Sequence, residues 1–240
     1  MSRTLLSGVT AIILTVGAVS AACAGPVSEF ETSYRTMYAS YRTALFATNA
    51  GNPTKATEAL AGFADEWNAL TATYAAAPPP QYADDPLWAE TIATVTAFVD
   101  EAGSSVAAGK LPEAHEILEE VRENFSELHA RNAIETFSDR MNAYHAEMEV
   151  ILGMDAGALD AASMPALFEN AGVLNYLAQD VLAAPPAEAA GNDKYAKLAG
   201  EFDASVAAFV AAVRAADIAA VQAAVANLKP AYSKFFLNFG

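Results

Sequence analysis

The sequence predicts an all-α fold of two tandem four-helix bundles, each with its helices running up, down, up and down. Three observations predict it: an alanine-rich composition, apolar residues that recur every three or four positions, and landmarks that repeat along the chain. The 240 residues are 54% hydrophobic, and alanine is the strongest helix former. No alternation of apolar and polar residues is long enough to predict a β-strand.

The first 24 residues have the character of an export signal. Arg3 precedes a short apolar run at 5–19, and small residues would allow cleavage after Ala21 or Ala24. Cys23, the only cysteine, is then removed with the signal or lipidated. A c-type haem attachment and a disulfide are excluded. We therefore expect a periplasmic protein with three segments: 1–24 (signal peptide), 25–132 (first bundle) and 133–240 (second bundle).

The first bundle is predicted to contain helices at 28–49, 54–74, 84–107 and 109–132. Pro78 and the two prolines after it end the second helix, because proline cannot continue a helix. Pro86 and Pro112 suit the first turns of the third and fourth helices, where a missing N–H costs nothing. In the fourth helix, Leu118 and Phe125 mark one buried face.

The second bundle is predicted to contain helices at 134–152, 164–182, 194–213 and 217–238. Pro185 and Pro186 end the sixth helix, and Pro230 predicts a kink in the eighth. Residues 130–133 contain neither glycine nor proline. The fourth helix therefore either ends there or continues directly into the fifth.

An internal repeat supports the division into two bundles. An offset of 107 positions, counted from Pro78 to Pro185, also places Val99 on Val206. The same offset places Phe125 on Tyr232 and His129 on Phe236. Because Phe236 replaces the histidine, we expect the second bundle to be degenerate and to lack a His-ligated cofactor.

The charge balance limits the classes of partner. With 29 acidic and 13 basic residues, the net charge is -16. This excess of acid disfavours nucleic acid and anionic membranes, which require lysine and arginine. Run 5–19 is too short for a membrane span and belongs to the signal, so we expect no membrane span in the mature chain. No nucleophile elbow, HExxH or phosphate loop occurs, so the sequence does not predict an enzyme.

Residues 28–132 resemble soluble cytochrome b562, a periplasmic four-helix protein that holds haem b without a covalent bond. The resemblance rests on helix order, the proline turn after the second helix, and the motif Gly109-Lys110-Leu111-Pro112-Glu113-Ala114. It implies haem binding and one-electron transfer with a redox partner protein. The acidic face of the fourth helix is either a solvated surface or a docking patch for a cationic partner of this kind.

The resemblance also implies a set of cofactor residues. Counting from the motif, His129 falls at the position of the haem-ligating histidine. Trp88 and Ile92 fall at two pocket phenylalanines, and Phe125 would add an apolar wall. The second iron ligand depends on how this chain is aligned with the family. Alignment through the second helix places it at Met37, and alignment through the inward face of the first helix places it at Tyr38. A His/Met pair suits haem iron, since a thioether favours Fe(II).

Two other functions remain open. His145 and Glu149 are four residues apart on one helix face, a spacing that can bind zinc, and Met148 beside them would suit copper. The protein would then be a periplasmic metal-ion binding protein. The third alternative is a helical interaction module that keeps the fold and holds no cofactor.

Overall fold

The computed structural model describes residues 25–154 and 159–240, and every regular element in these two stretches is helical. The predicted signal and Cys23 lie outside the described residues. No helix in the two stretches is both long enough and apolar enough to cross a membrane. The helices are α1 (Pro26–Asn49), α2 (Pro53–Tyr74), α3 (Trp88–Ala107), α4 (Leu111–Arg131), α5 (Phe137–Gly153), α6 (Met164–Ala183), α7 (Asp193–Arg214) and α8 (Ile218–Phe239).

Side-chain caps mark several helix starts, and at α2 the cap is combined with an early proline. The Oδ1 atom of Asn52 accepts a hydrogen bond from the backbone N–H of Lys55, and Pro53 begins α2. Asp217 caps α8 in the same way, through the N–H of Ala220. These caps satisfy backbone donors that have no partner inside a helix. They explain why the predicted and observed starts agree closely at α2 and α8.

The start of α3 differs from the prediction. The helix begins at Trp88 rather than at residue 84. Asp85 accepts a hydrogen bond from the N–H of Leu87 and pairs with Arg131 at 3.0 Å, near the end of α4. Residues 85–87 are thereby held in a turn that fastens α3 to α4.

The α4–α5 junction, which the sequence leaves open, is a break between two helices. The chain reverses through Ala133, whose φ of 54° lies in the left-handed region, and Thr136 caps α5. As a result α5 lies beside α4, and Asn142 donates to the Ser126 hydroxyl at 3.1 Å. Pro230, where the sequence predicts a kink, lies inside α8, and α8 continues through it as one helix.

The helices pack in two groups, which we call the first helical set (α1–α4) and the second helical set (α5–α8). In the first set, α1 and α3 each contact α2 and α4. In the second set, α5 and α7 each contact α6 and α8, and α1 contacts α8 across the two sets. Each set also contains a short 3-10 helix after its proline turn, at Pro80–Tyr82 and Ala187–Ala189. The result is a helical bundle-like fold.

Aromatic side chains fill much of the core of the first helical set. Phe125 packs against Tyr34 with ring centroids 5.5 Å apart and against Trp67 at 5.8 Å. Trp67 is 2% exposed, and its indole N–H donates to the Thr96 hydroxyl at 3.0 Å. Such rings contribute both large buried areas and favourable edge-to-face contacts. The core near the end of α4 is therefore built from rings.

Tyr41 provides a test of the packing of α1 on α4. Its side chain is fully buried, and its hydroxyl donates to the backbone carbonyl of Leu118 at 2.9 Å. We expect Tyr41→Phe to lower the free energy of unfolding by about 1 kcal/mol, the usual net value of one hydrogen bond. Tyr176→Phe, at a side chain that is 69% exposed, should leave urea denaturation unchanged. Equal unfolding midpoints for the two variants would contradict the proposed role of this bond.

Candidate functional site

His129 is a buried histidine near the end of α4, and its ring is held by a carboxylate. The residue is 2% exposed, and Nδ1 lies 3.0 and 2.9 Å from the two carboxylate oxygens of Asp139. A carboxylate can only accept hydrogen bonds, so Nδ1 carries the proton and donates it. The other ring nitrogen, Nε2, is then the atom left for a further partner.

Asp139 is itself fixed by the cap of α5. The backbone N–H and the hydroxyl of Thr136 donate to Asp139 Oδ2 at 2.8 and 2.7 Å, and the N–H of Asp139 donates back to that hydroxyl. Burial alone would raise the pKa of Asp139, but the bonds from His129 and Thr136 hold it below its usual value. The carboxylate is therefore charged at neutral pH and orients the imidazole.

The rings around His129 include two of the residues that the sequence assigns to a haem pocket. Tyr34 meets the imidazole edge-on with centroids 5.4 Å apart, and Phe125 contacts Tyr34. Tyr82 stacks parallel to the imidazole at 6.5 Å and against Trp88 at 5.2 Å. The structure thus brings Trp88 and Phe125 into the ring cluster around His129.

The remaining predicted pocket residues lie in or beside the same core. Met37 is fully buried, and Tyr38 is 2% exposed to solvent. Tyr38 stacks on Tyr34 at 5.6 Å, and burial raises its pKa to about 12. Ile92 is only partly buried. The residue of α1 that contacts the His129 ring is Tyr34, so the choice between Met37 and Tyr38 as second ligand stays open.

The alternative metal residues lie at the other end of the contact between α4 and α5. His145 Nε2 is 3.4 Å from Glu149 Oε1, and Lys229 Nζ is 3.0 Å from that same oxygen. Met148 is fully buried. Burial, together with the positive charge of Arg122, lowers the pKa of His145 to about 4.

The charges at this second location oppose a metal ion. Lys229 already pairs with Glu149, the carboxylate that a cation would need, and repels a second cation. Across residues 25–154 and 159–240, no group of three or more His, Cys, Asp or Glu side chains is arranged to hold a metal ion. Copper or zinc binding by His145, Met148 and Glu149 stays a prediction.

A cleft of about 660 Å³ separates parts of the two helical sets. One wall is the face of α1 that carries Tyr34, Tyr38 and Arg42. The opposite side is formed by the start of α5, the 186–188 turn and the end of α8. The volume lies within the range of about 300–1,000 Å³ that is typical of small-molecule sites.

Sequence reasoning missed three members of the His129 site, namely Asp139, Tyr34 and Tyr82. Asp139 could have been assigned, because Thr136 followed three residues later by an acidic residue is a capping box. That motif also predicts that α4 ends before residue 136. Tyr34 lies on the inward face of the first predicted helix, but its contact with His129 depends on the crossing of α1 and α4, which the sequence does not show.

Comparison with protein-family models, with curated proteins and with solved structures gave no match. The resemblance of residues 28–132 to cytochrome b562 therefore rests on the sequence motifs alone. The function has to be inferred from the His129 site and from the cleft beside it.

Proposed function

We propose that the protein is an exported haem b-binding electron carrier, built as two tandem four-helix bundles of cytochrome b562 type. The observation that supports this function is the buried imidazole of His129, held through Nδ1 by Asp139. Metal-binding histidines are typically oriented by a carboxylate on the nitrogen that does not bind the metal. Nε2 of His129 would then be the iron ligand in the first bundle.

The imidazole nitrogen of His129 and the thioether sulfur of Met37 suit haem iron. A porphyrin bound through His129 Nε2 would need space beside the imidazole, where the Tyr34 ring packs. The hydroxyl of Tyr34 is buried, and no residue in the described part of the chain forms a hydrogen bond with it. The same side chain lines the cleft of about 660 Å³. Rotation of the Tyr34 ring toward the cleft would therefore break no hydrogen bond. Haem binding would also require the neighbouring rings of Tyr82 and Phe125 to shift, because both pack in the same cluster.

The other residues would define the environment of the group. Bound haem would supply a one-electron Fe(III)/Fe(II) couple. Met37 would donate its thioether sulfur, with Tyr38 as the alternative donor. Trp88 and Phe125 would exclude water from the pocket, which favours the less charged reduced state.

A redox partner would dock on the exposed acidic face of α4. Glu116, Glu120, Glu123 and Glu127 are exposed and follow one another at helical spacing. Such a face attracts a cationic partner and accelerates encounter at low salt. Phe236, which takes the position of His129 in the second bundle, is 6% exposed. The second bundle would therefore support the first without a haem of its own.

Haem titration of purified variants tests the ligand assignment. We expect His129→Ala to weaken haem binding by at least about tenfold, because the protein loses a direct metal bond. His115→Ala, which removes another histidine from α4, should bind haem as the wild type does. Met37→Ala should change the low-spin spectrum if Met37 is the second ligand, and Tyr38→Phe should change it if Tyr38 is. Equal affinities for His129→Ala and the wild type would contradict the proposal.

A cofactor-free helical interaction module is the second candidate function. The observation that favours it is the aromatic packing around His129, in which Tyr34, Tyr82 and Phe125 already form a connected set of ring contacts. The His129–Asp139 pair would then serve to fasten α4 to α5. A wild-type protein that binds no haem, together with a strongly destabilised Asp139 variant, would favour this candidate.

A further inference from the structure

We propose that the cleft between the two helical sets binds a small organic anion with a flat ring, and that the Arg42 guanidinium pairs with its carboxylate. The cleft shares Tyr34 and Tyr38 with the ring cluster around His129, but His129 itself does not line it. The proposal therefore goes beyond haem binding and does not depend on it.

Arg42 is a largely enclosed cation without a counter-ion. No carboxylate among the described residues lies within 4 Å of it, and its buried Nε has no hydrogen-bond partner there. Burial lowers the pKa of Arg42, against the opposing influence of Tyr38 and Glu188. An enclosed charge without a partner is costly, so a ligand that completes the pair would gain binding energy from it.

Arg35, a second arginine at the same cleft, differs from Arg42 because it has a counter-ion. Arg35 also lines the cleft, but its Nε lies 3.0 Å from Glu188 Oε1. Its charge is therefore already compensated by the protein. Arg42 is instead positioned over the Tyr38 ring, with the guanidinium carbon 5.8 Å from the ring centroid. This cation–π contact leaves the N–H groups of Arg42 free to bind a carboxylate in the planar, two-bond geometry that guanidinium favours.

Aromatic side chains line the cleft. Phe137 of α5 and Phe239 of α8 are partly buried there, and Tyr34 and Tyr38 of α1 are only 5% and 2% exposed. Flat rings pack well against such side chains. A volume of about 660 Å³ accommodates a ligand of two or three fused rings. Charge and shape together define an aromatic carboxylate as the ligand class.

Calorimetric titration with 2-naphthoate tests the proposal. We expect saturable binding to the wild type and no comparable binding of 2-naphthamide, which has the same rings without the charge. Arg42→Gln should weaken naphthoate binding by at least about tenfold, the loss expected for a two-bond charged contact. Lys197→Gln removes one positive charge from α7, outside the cleft, and should bind naphthoate as the wild type does.

Two outcomes would overturn the proposal. One is the absence of saturable naphthoate binding to the wild type, and the other is equal binding by the wild type and Arg42→Gln. Unfolding midpoints of the wild type and Arg42→Gln show whether the variant is folded when naphthoate binding is compared. Removing an uncompensated cation should leave Arg42→Gln at least as stable as the wild type. His129→Ala should still bind naphthoate, so failure of haem binding and failure of anion binding are separate results.

Discussion

Asp139→Ala is expected to lower the free energy of unfolding by about 2 to 3 kcal/mol, since the buried N–H of His129 loses its charged hydrogen-bond acceptor. The carboxylate holds His129 at 2.9 Å and accepts two hydrogen bonds from Thr136. Its loss also removes half of the capping box that starts α5. Urea denaturation followed by circular dichroism measures the change.

A neighbouring acidic residue provides the control for Asp139. Glu135 precedes the same cap, is exposed, and pairs with Arg140 at the surface. Glu135→Ala should change the free energy of unfolding by less than about 1 kcal/mol, as is usual for exposed ion pairs. If Asp139→Ala were no more destabilising than Glu135→Ala, the His129–Asp139 pair would not hold α4 against α5.

Stability should fall by about 3 kcal/mol as the pH decreases from about 6.5 to about 4, because His145 resists protonation in the folded protein. Burial and the charge of Arg122 lower its pKa to about 4, whereas an unfolded histidine titrates near 6.5. The unfolded state therefore binds a proton first, and folding loses free energy across this interval. Above pH 6.5 the ring is neutral in both states, so the loss is absent.

The surroundings of His145 explain why its protonated form is disfavoured. On its own helix, Glu149 attracts the proton, but positive charges face the ring from other helices. The positive groups are Arg122 of α4 and Lys229 of α8, and His115, Glu119 and Tyr232 lie beside them. Burial also lowers the pKa of His115, so His115 contributes to the same loss.

His145→Gln tests this pH dependence. The variant should lose much less stability between pH 6.5 and pH 4 than the wild type does, when unfolding by urea is measured at each pH. Below pH 4 the two proteins should lose stability in parallel, because Asp139 has a lowered pKa in both and folding loses the charged carboxylate there. A wild type whose stability is constant from pH 6.5 to pH 4 would contradict the account.

The all-α class and the positions of the helices could be predicted because proline turns and apolar periodicity are local signals. Proline ends α2 and the 164–183 helix (α6) where the sequence indicates, and the early prolines of α2 and α4 agree with the observed starts. At α3 the start predicted at residue 84 from Pro86 was wrong, because the helix begins at Trp88. The turn at Asp85 depends on Arg131, which is 46 residues away in sequence.

The candidate site could be predicted only in part, for a similar reason. His129 and Phe125 share one face of a single helix, so their proximity follows from helical periodicity. The roles of Asp139 and Tyr34 depend on how α5 and α1 pack against α4, which no single helix determines. For Arg42, composition gives no sign that one arginine is paired less completely than its neighbours.

The visible spectrum with excess haem and dithionite tests most directly the proposal that haem would bind between His129 and α1, with Tyr34 displaced. The wild type should give a Soret band with separate α and β bands, as expected for low-spin iron with two axial ligands. Tyr34→Ala should give the same bands with tighter haem binding, because fewer side chains then fill the space beside His129. If both proteins give only the spectrum of free haem, the electron-carrier function is contradicted.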